Sequence, residues 1–124
     1  MFPDSNFHLV DSIGKKITVV QDVILNLQLK NATCQQIRCE QLQDKYDFVV
    51  SRAVTSFPDF VKLTKNLIKQ QSKNDTKNGI IYLKGGELEK EIEPFRKKIS
   101  IEEISNYFES EFFTTKKIIY LPFY

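Results

Sequence analysis

Two charged side chains come directly after apolar runs that predict buried strands, and their types suit the binding of a nucleotide-like ligand. Asp11 ends the run Phe7–Asp11, and Arg52 follows closely on the run Tyr46–Val50. Ligands of α/β proteins bind at the carboxyl ends of parallel strands. A carboxylate at that edge can accept hydrogen bonds from ribose hydroxyls, and the planar fork of a guanidinium pairs with a carboxylate.

Each of these residues also has a purely structural interpretation. Asp11 could cap the helix that begins after it, because short oxygen-bearing side chains accept hydrogen bonds from the free amides of a first turn. The sequence alone favours neither interpretation of Asp11. Arg52 could form an ion pair with Asp47 or Asp59. A solvated charge directly after a buried strand has no evident structural purpose, so ligand binding is the preferred interpretation of Arg52.

The order of the predicted elements indicates an α/β fold. Strands that alternate with helices imply parallel βαβ units with right-handed crossovers. The last two predicted strands have no long helix between them, which indicates an antiparallel addition at the sheet edge. Polar residues 70–78 predict a surface loop. The predicted strands are 7–11, 33–38, 46–50, 79–84, 99–107 (the weakest) and 116–121. The predicted helices are 12–27, one that starts at 56–59, and 87–98, which has a break near Pro94.

The first strand and helix are predicted to be well covered. The strand Phe7–Asp11 is apolar on both faces apart from His8, which is typical of a strand with helices on both sides. His8 is predicted to be a packed core histidine rather than a catalytic one. The apolar residues of the following helix recur at steps of three and four, which predicts a buried stripe. That stripe consists of Ile13, Ile17, Val20, Ile24 and Leu27.

The composition predicts one cytoplasmic globular domain over residues 1–124. The net charge of +2 and the pI of about 8.5 are too mild to indicate nucleic-acid binding by themselves. No apolar stretch is long enough to predict a membrane span, and the first residues do not resemble a signal peptide. Cys34 and Cys39 fit no zinc-site spacing, so they are predicted to be reduced and structural, with no metal site.

Four strings, taken together in their order and spacing, resemble one protein family. These strings are Phe7–Lys16, Arg38–Glu40, Phe48–Ala53 and Leu83–Gly85. The chain resembles the bacterial 16S ribosomal RNA guanine-N7 methyltransferases, the glucose-inhibited division protein B family, over essentially its whole length. The closing segment 112–122 resembles the Bacteroidetes branch of that family. The resemblance implies the Rossmann-like sheet of class I S-adenosylmethionine-dependent methyltransferases, with strand order 3-2-1-4-5-7-6.

The resemblance also implies that this α/β sheet is partial. The strand Phe7–Asp11 matches family strand 2, and the remaining predicted strands match family strands 3 to 7. The sheet is then mostly parallel with an antiparallel C-terminal strand. The family's first strand and glycine-rich cofactor loop have no counterpart here, which predicts the C-terminal portion of a methyltransferase domain. Two hypotheses follow for the open strand edges: family strands 2 and 4 pair directly, or a second copy pairs there in a homodimer.

The resemblance implies S-adenosyl-L-methionine as the cofactor and assigns four residues to it. Asp11 would bind the ribose hydroxyls, which shifts the balance away from the helix cap. Cys39 and Glu40 match the adenine-contacting pair, although without the resemblance they would be interpreted as an ordinary loop. Arg52 matches an arginine that contacts the cofactor, and its planar fork suits the methionyl carboxylate.

The implied function is methylation of N7 of a guanine in 16S ribosomal RNA, within the small ribosomal subunit. Guanine N7 carries a free lone pair and no proton, so no catalytic base is expected and catalysis is mostly positioning. Lys15, Lys16 and Lys84 are candidate RNA contacts, with exposed surface positions as the alternative. These 124 residues alone are expected to be inactive. The alternative function is a non-catalytic RNA- or protein-binding α/β module.

Overall fold

The computed structural model describes residues 2–52, 55–85, 89–109 and 116–123. The chain divides into two compact units, an N-terminal unit Met1–Leu42 and a C-terminal unit Gln43–Tyr124, and each is described by itself. No helix in the described ranges is long and apolar enough to cross a membrane. The assignment of residues 1–124 to one domain stays a prediction.

The N-terminal unit is a parallel βαβ element. Strand β1 (Phe7–Asp11), helix α1 (Gly14–Asn26) and strand β2 (Ala32–Gln36) follow one another, and a short 3-10 turn, Cys39–Gln41, comes after them. The two strands pair in parallel with Asp11 opposite Gln36. All three elements were predicted to within two residues at each end.

The predicted burial of the N-terminal unit was wrong. Among its described residues, Ile24 is the one apolar side chain that is buried, with 9% exposed. Phe7 and Leu9 of β1 and Ile13 and Leu27 of the predicted stripe are exposed. A two-stranded sheet with one helix has a second layer on one face only, so strand and helix residues that point away from that layer stay in solvent.

The C-terminal unit contains a four-stranded sheet in the order β3-β4-β6-β5. Its strands are β3 (Phe48–Arg52), β4 (Gly79–Gly85), β5 (Ser100–Glu103) and β6 (Lys116–Pro122). Strands β3 and β4 are parallel, whereas β6 runs antiparallel to both β4 and β5. The predicted antiparallel addition at the edge is confirmed.

The two sheets together match the strand order that the resemblance implied. Pairs 3-2 and 4-5-7-6 of that order correspond to β2-β1 and β3-β4-β6-β5. The hypothesis that family strands 2 and 4 pair directly was wrong, because the described strands β1 and β3 belong to different sheets. Pairing with a second copy stays a prediction.

Two helices accompany the C-terminal sheet. Helix α2 (Phe57–Thr64) begins as predicted: the Ser56 hydroxyl accepts a hydrogen bond from the Asp59 amide at 3.4 Å. Helix α3 (Glu89–Ile92) is shorter than the predicted helix because it gives way to a 3-10 turn, Glu93–Phe95, at the proline. The predicted start of that helix, residues 87 and 88, lies outside the described residues.

The hydrophobic core lies in the C-terminal unit. Residues of α2, α3, β4 and β6 interlock there, and the Phe57 and Phe60 rings lie 5.3 and 5.4 Å from the Tyr82 ring. The buried cluster consists of Phe57, Phe60, Val61, Ile68, Ile80, Tyr82, Ile92, Ile119 and Leu121. This core fixes the direction of β3 and β4 and therefore the position of the charged residues at their carboxyl ends.

Candidate functional site

Asp11 lies at the carboxyl end of β1 and uses its two carboxylate oxygens differently. Oδ1 accepts a hydrogen bond from the Ile13 amide at 2.9 Å, which braces the turn into α1. Oδ2 lies 3.9 Å from the Lys16 ammonium, and the Asp11 side chain is 34% exposed. A carboxylate has about four acceptor positions, so the bracing contact leaves capacity for ribose hydroxyls. Helix bracing and ligand binding are therefore compatible in Asp11.

A groove of about 300 Å³ lies beside Asp11, at the carboxyl ends of β1 and β2. Its volume is at the lower end of the range for small-molecule sites. The Gln36 amide nitrogen donates to the Ser12 carbonyl at 3.5 Å, which places this side chain across the groove. The groove is lined by Ser12, Gln36, Ile37, Arg38 and Gln41.

Sequence reasoning missed the two glutamines of this groove as site residues. Gln36 ends β2 directly opposite Asp11, and Gln41 closes the 3-10 turn that follows. A signal was present, because a polar residue at the end of the strand next to an assigned ligand residue shares its sheet edge.

Cys39 and Glu40 form the 3-10 turn after β2, at the same edge as Asp11. The Cys39 thiol is half-buried and donates a hydrogen bond to Glu40 Oε2 at 3.5 Å. Burial raises the pKa of the Cys39 thiol, and the neighbouring Glu40 carboxylate raises it further. Cys39 is therefore a neutral thiol near neutral pH, suited to apolar contact rather than to nucleophilic attack. Glu40 is exposed and available as an acceptor.

Lys15 and Lys16 lie in the first turn of α1 and are both exposed. The Lys16 ammonium lies 3.9 Å from the Asp11 carboxylate, with 65% of the lysine side chain exposed. An exposed pair at this distance contributes about 0–1 kcal/mol, so it holds Lys16 only weakly. Both amines can therefore reach an anionic partner.

His8 is half-buried and engaged across the strand pair rather than packed in a core. Its Nδ1 lies 2.8 Å from the Thr33 hydroxyl, and its Nε2 lies 3.1 Å from the Gln35 side-chain oxygen. The prediction of a satisfied, non-catalytic histidine fits these contacts, but its placement in a core was wrong. The imidazole links β1 to β2 on a polar face of the two-stranded sheet.

Arg52 lies at the carboxyl end of β3 and is exposed. Within the described ranges its guanidinium forms no ion pair, and Asp47 lies beside Lys69 and Lys73 instead. The structural alternative for Arg52 thus finds no support in the described part of the chain. Its neighbour across the sheet is Leu83, the residue before Lys84.

Lys84 is held by Glu91 and does not point freely into solvent. Its ammonium contacts both Glu91 carboxylate oxygens, at 2.5 and 2.6 Å, and both side chains are 23% exposed. The alternative of an exposed strand end is therefore wrong for Lys84, whereas its contact with RNA stays a prediction. The ion pair ties the end of β4 to α3 beside Tyr82, whose pKa is raised by burial and by Glu91.

Five of the seven predicted site residues thus fall into two sets, each at the carboxyl end of parallel strands. Asp11, Cys39 and Glu40 share the edge of β1 and β2, while Arg52 and Lys84 share the edge of β3 and β4. Within the described residues, no group of three or more acidic, histidine or cysteine side chains is arranged to hold a metal ion. The described side chains of the two sets supply hydrogen-bond acceptors and both signs of charge.

A protein-family model matches most of the chain. The family model described as rRNA small subunit methyltransferase G matches residues 1–119. This match covers both sets of predicted site residues and agrees with the resemblance found in the sequence.

Curated relatives with the name ribosomal RNA small subunit methyltransferase G are similar to nearly the whole chain. The protein of Christiangramia forsetii is 52% identical over 122 residues, which are 98% of this chain and 57% of that protein. The proteins of Flavobacterium johnsoniae and Bacteroides thetaiotaomicron are 49% and 48% identical, and 58% of each is covered. The chain therefore spans less than two thirds of the length of these relatives.

A solved structure supports the fold assignment. The rRNA methylase of Streptococcus thermophilus matches with a TM-score of 0.61 at 4% identity, covering 96% of this chain and 74% of that chain. At this identity the likeness concerns the fold alone. The predicted fold class, a partial Rossmann-like methyltransferase sheet, is confirmed.

Proposed function

This chain belongs to the rRNA small subunit methyltransferase G family, and we propose that it supplies part of the catalytic site of an S-adenosylmethionine-dependent methyltransferase. The substrate is 16S ribosomal RNA in the small ribosomal subunit, in the cytoplasm, and the methyl acceptor is N7 of a guanine. One observation carries the proposal: Asp11 and the turn with Cys39 and Glu40 follow the paired parallel strands β1 and β2, and their chain neighbours Ser12, Arg38 and Gln41 line a groove of about 300 Å³. That arrangement suits an adenosine.

The residues present fit the chemical parts of the cofactor. Asp11 would accept hydrogen bonds from the two ribose hydroxyls through the oxygen that the Ile13 amide leaves available. The Glu40 carboxylate would accept from the exocyclic amine of adenine, and the neutral Cys39 thiol would lie against the ring. The exposed Arg52 guanidinium would pair with the methionyl carboxylate by its two parallel donors.

Catalysis in this proposal is positioning. When bound, the cofactor supplies an electrophilic methyl group on a sulfonium. Because guanine N7 has a lone pair and no proton, the protein needs no general base, and its contribution is to position the reacting atoms in line. Lys15 and Lys16 would pair with RNA phosphates, since they are exposed and only weakly engaged. Lys84 would act through its pair with Glu91, which fixes the end of β4.

These 124 residues alone are expected to bind the cofactor weakly and to be inactive. The four glycines of the chain do not form the Gly-x-Gly-x-x-Gly turn that brings backbone amides close to a nucleotide. Calorimetric titration of the 124-residue chain with S-adenosylmethionine measures this. Micromolar affinity would contradict the expectation.

A chimera tests the function itself. The 124 residues replace the matching region of the Flavobacterium johnsoniae relative, to which they are 49% identical. The chimera is expressed in a bacterium that lacks this methyltransferase, and nucleosides of its 16S ribosomal RNA are analysed by mass spectrometry. We expect N7-methylguanosine to reappear, and to be lost in Asp11→Ala and Glu40→Ala chimeras that keep their thermal stability. A folded chimera without methylation would contradict the proposal.

A further inference from the structure

A second polar groove lies at the opposite end of the C-terminal sheet from Arg52. It has a volume of about 700 Å³ and is formed by Lys45, Asp47 and the segment 69–73. Asp47 precedes β3 and Arg52 ends it, so the groove and the Arg52 edge are separated by five residues of strand, about 17 Å. We call it the amino-end groove.

The amino-end groove is positively charged. The lining side chains include three lysines, Lys45, Lys69 and Lys73, and one carboxylate, that of Asp47, so their net charge is +2. The Lys45 ammonium donates a hydrogen bond to the Asn66 carbonyl at 3.1 Å. The Lys69 and Lys73 ammonium groups lie 3.9 and 3.7 Å from the Asp47 oxygens. Their side chains are 48% and 75% exposed, whereas that of Asp47 is 22% exposed. The carboxylate therefore lies deeper than the two amines, which keep hydrogen-bond donors available to a ligand.

The segment that carries these lysines is anchored. The buried Asn78 side chain donates hydrogen bonds to the Lys69 and Gln71 carbonyls, at 3.1 and 3.0 Å. The Asn78 amide donates to the Ser72 hydroxyl at 3.0 Å. The Phe123 amide donates to the Asn78 carbonyl at 2.7 Å, which ties the loop to the end of β6. Binding to an anchored loop costs less ordering entropy than binding to a free one.

The lining chemistry favours a phosphate backbone over an acidic protein partner. All the lining residues are polar: Lys45, Asp47, Lys69, Gln70, Gln71, Ser72 and Lys73. Protein interfaces depend on buried aromatic or aliphatic anchors, and this groove offers none. Phosphate contacts require cations and hydrogen-bond donors, which lysine, glutamine and serine side chains supply.

We propose that the amino-end groove binds the sugar–phosphate backbone of single-stranded RNA, as a contact separate from the cofactor edge. The choice of RNA as the polyanion rests on the proposed function, whereas the anion-binding character rests on the groove itself. Lys69 and Lys73 each pair with a phosphate, and the Asp47 carboxylate, within 4 Å of both amines, attracts them to the groove.

Binding of fluorescein-labelled oligouridylate to the 124-residue chain, measured by anisotropy over a range of salt concentrations, tests this proposal. The variant Lys69→Ala/Lys73→Ala removes the two groove amines, and the control Lys97→Ala/Lys98→Ala removes two exposed lysines elsewhere in the same unit. We expect the groove variant to weaken binding about tenfold at low salt and to reduce the salt slope by about 1.4. The control keeps the wild-type slope, and Lys69→Arg/Lys73→Arg restores binding.

Four results would overturn the proposal. If the wild-type chain does not bind the oligouridylate, the site is excluded. If both double variants lose the same affinity, the binding is general charge attraction only. Polyglutamate that competes as well as unlabelled oligouridylate assigns the groove to an acidic protein instead. Because oligouridylate contains no guanine, this assay is independent of methyl transfer. If the chimera methylates RNA but the groove variant binds oligouridylate as tightly as the wild-type chain, the proposed function stands and the RNA contact in the groove is excluded.

Discussion

The two units of the chain differ in how completely they bury their apolar side chains. The C-terminal unit has a cluster of nine buried residues, whereas Ile24 is the one buried apolar residue among those described in the N-terminal unit. Of the fourteen large apolar side chains that are exposed in the described ranges, nine belong to the N-terminal unit. The proposed adenosine-binding residues are thus carried by the unit with the less complete core.

This difference has a thermodynamic consequence. Local opening requires less free energy where few apolar contacts are lost, so the N-terminal unit is expected to open more readily than the C-terminal unit. Arg52 and Lys84 lie in the unit with the buried core, whereas Asp11 and Glu40 lie in the unit with one buried apolar residue among those described. A ligand that binds Asp11 and Glu40 only while the N-terminal unit is closed should therefore make this opening rarer, by an amount that its concentration and Kd determine.

The largest expected effect is loss of a core aromatic ring from the C-terminal unit. Phe57 is fully buried and contacts Tyr82, so Phe57→Ala should lower the free energy of unfolding by about 3–5 kcal/mol. Leu25, in the N-terminal unit, is 63% exposed, and Leu25→Ala should change it by less than about 0.5 kcal/mol. Urea unfolding followed by circular dichroism gives both values. Equal losses in the two variants would remove the contrast between the units.

The next largest expected difference in stability is between alanine substitutions at two glycines, one in each unit. A Cβ at Gly79 would lie 2.2 Å from the Leu121 carbonyl oxygen, a backbone atom of β6 that cannot move aside. Gly79→Ala should therefore destabilise the chain by about 3 kcal/mol. A Cβ at Gly14 meets only the flexible Gln36 side chain, at 3.0 Å. Gly14→Ala should be neutral or stabilise the helix by about 0.5 kcal/mol. Thermal unfolding compares the two, and a neutral Gly79→Ala would contradict the β4–β6 packing.

A smaller difference in stability is expected when one ion pair is broken in each unit. The Lys84–Glu91 pair has contacts of 2.5 and 2.6 Å between side chains that are 23% exposed, whereas Lys16 lies 3.9 Å from Asp11 with 65% of its side chain exposed. Lys84→Met leaves a half-buried carboxylate unpaired and should cost about 1–2 kcal/mol. Lys16→Met should cost less than about 0.5 kcal/mol. Urea titration at low and high salt measures both; the reverse order would show that Lys84 is not held as described.

The smallest effect concerns the reactivity of one thiol. Burial and the Glu40 carboxylate both raise the pKa of Cys39, so its thiolate forms only at alkaline pH. In a Cys34→Ser background, the midpoint of iodoacetamide alkylation should shift to lower pH when Glu40→Gln removes the carboxylate charge. The sign follows because a nearby negative charge disfavours the thiolate. An unchanged midpoint would mean that Glu40 does not lie beside the sulfur.

The elements that the sequence predicted correctly are those that local periodicity and family resemblance determine. The βαβ element, the Ser56 cap and the antiparallel C-terminal strand all follow from residues close together in the chain. Burial of β1 was mispredicted because it depends on how many layers cover the sheet, which an apolar run does not encode. The same run would suit a strand buried on both faces or an exposed two-stranded sheet.

The missed parts of the sites are contacts between distant residues. Lys84 and Glu91 meet because α3 returns to the end of β4, and neither charge carries a signal of its partner. The polar composition of 70–78 correctly indicated a surface loop, but the buried Asn78 that anchors it looks in sequence like any other loop asparagine. Gln36 could have been found, since it ends the strand next to Asp11.

The central claim is that residues of this chain hold the cofactor of a methyltransferase, and Arg52 tests it most directly. In the chimera with the Flavobacterium johnsoniae relative, Arg52→Lys keeps the charge but removes the bidentate fork. We predict that the KM for S-adenosylmethionine rises about 10- to 100-fold, with the KM for ribosomal RNA unchanged and the control Arg96→Lys without effect. An active chimera in which Arg52→Lys leaves the KM for S-adenosylmethionine at its original value would contradict the account.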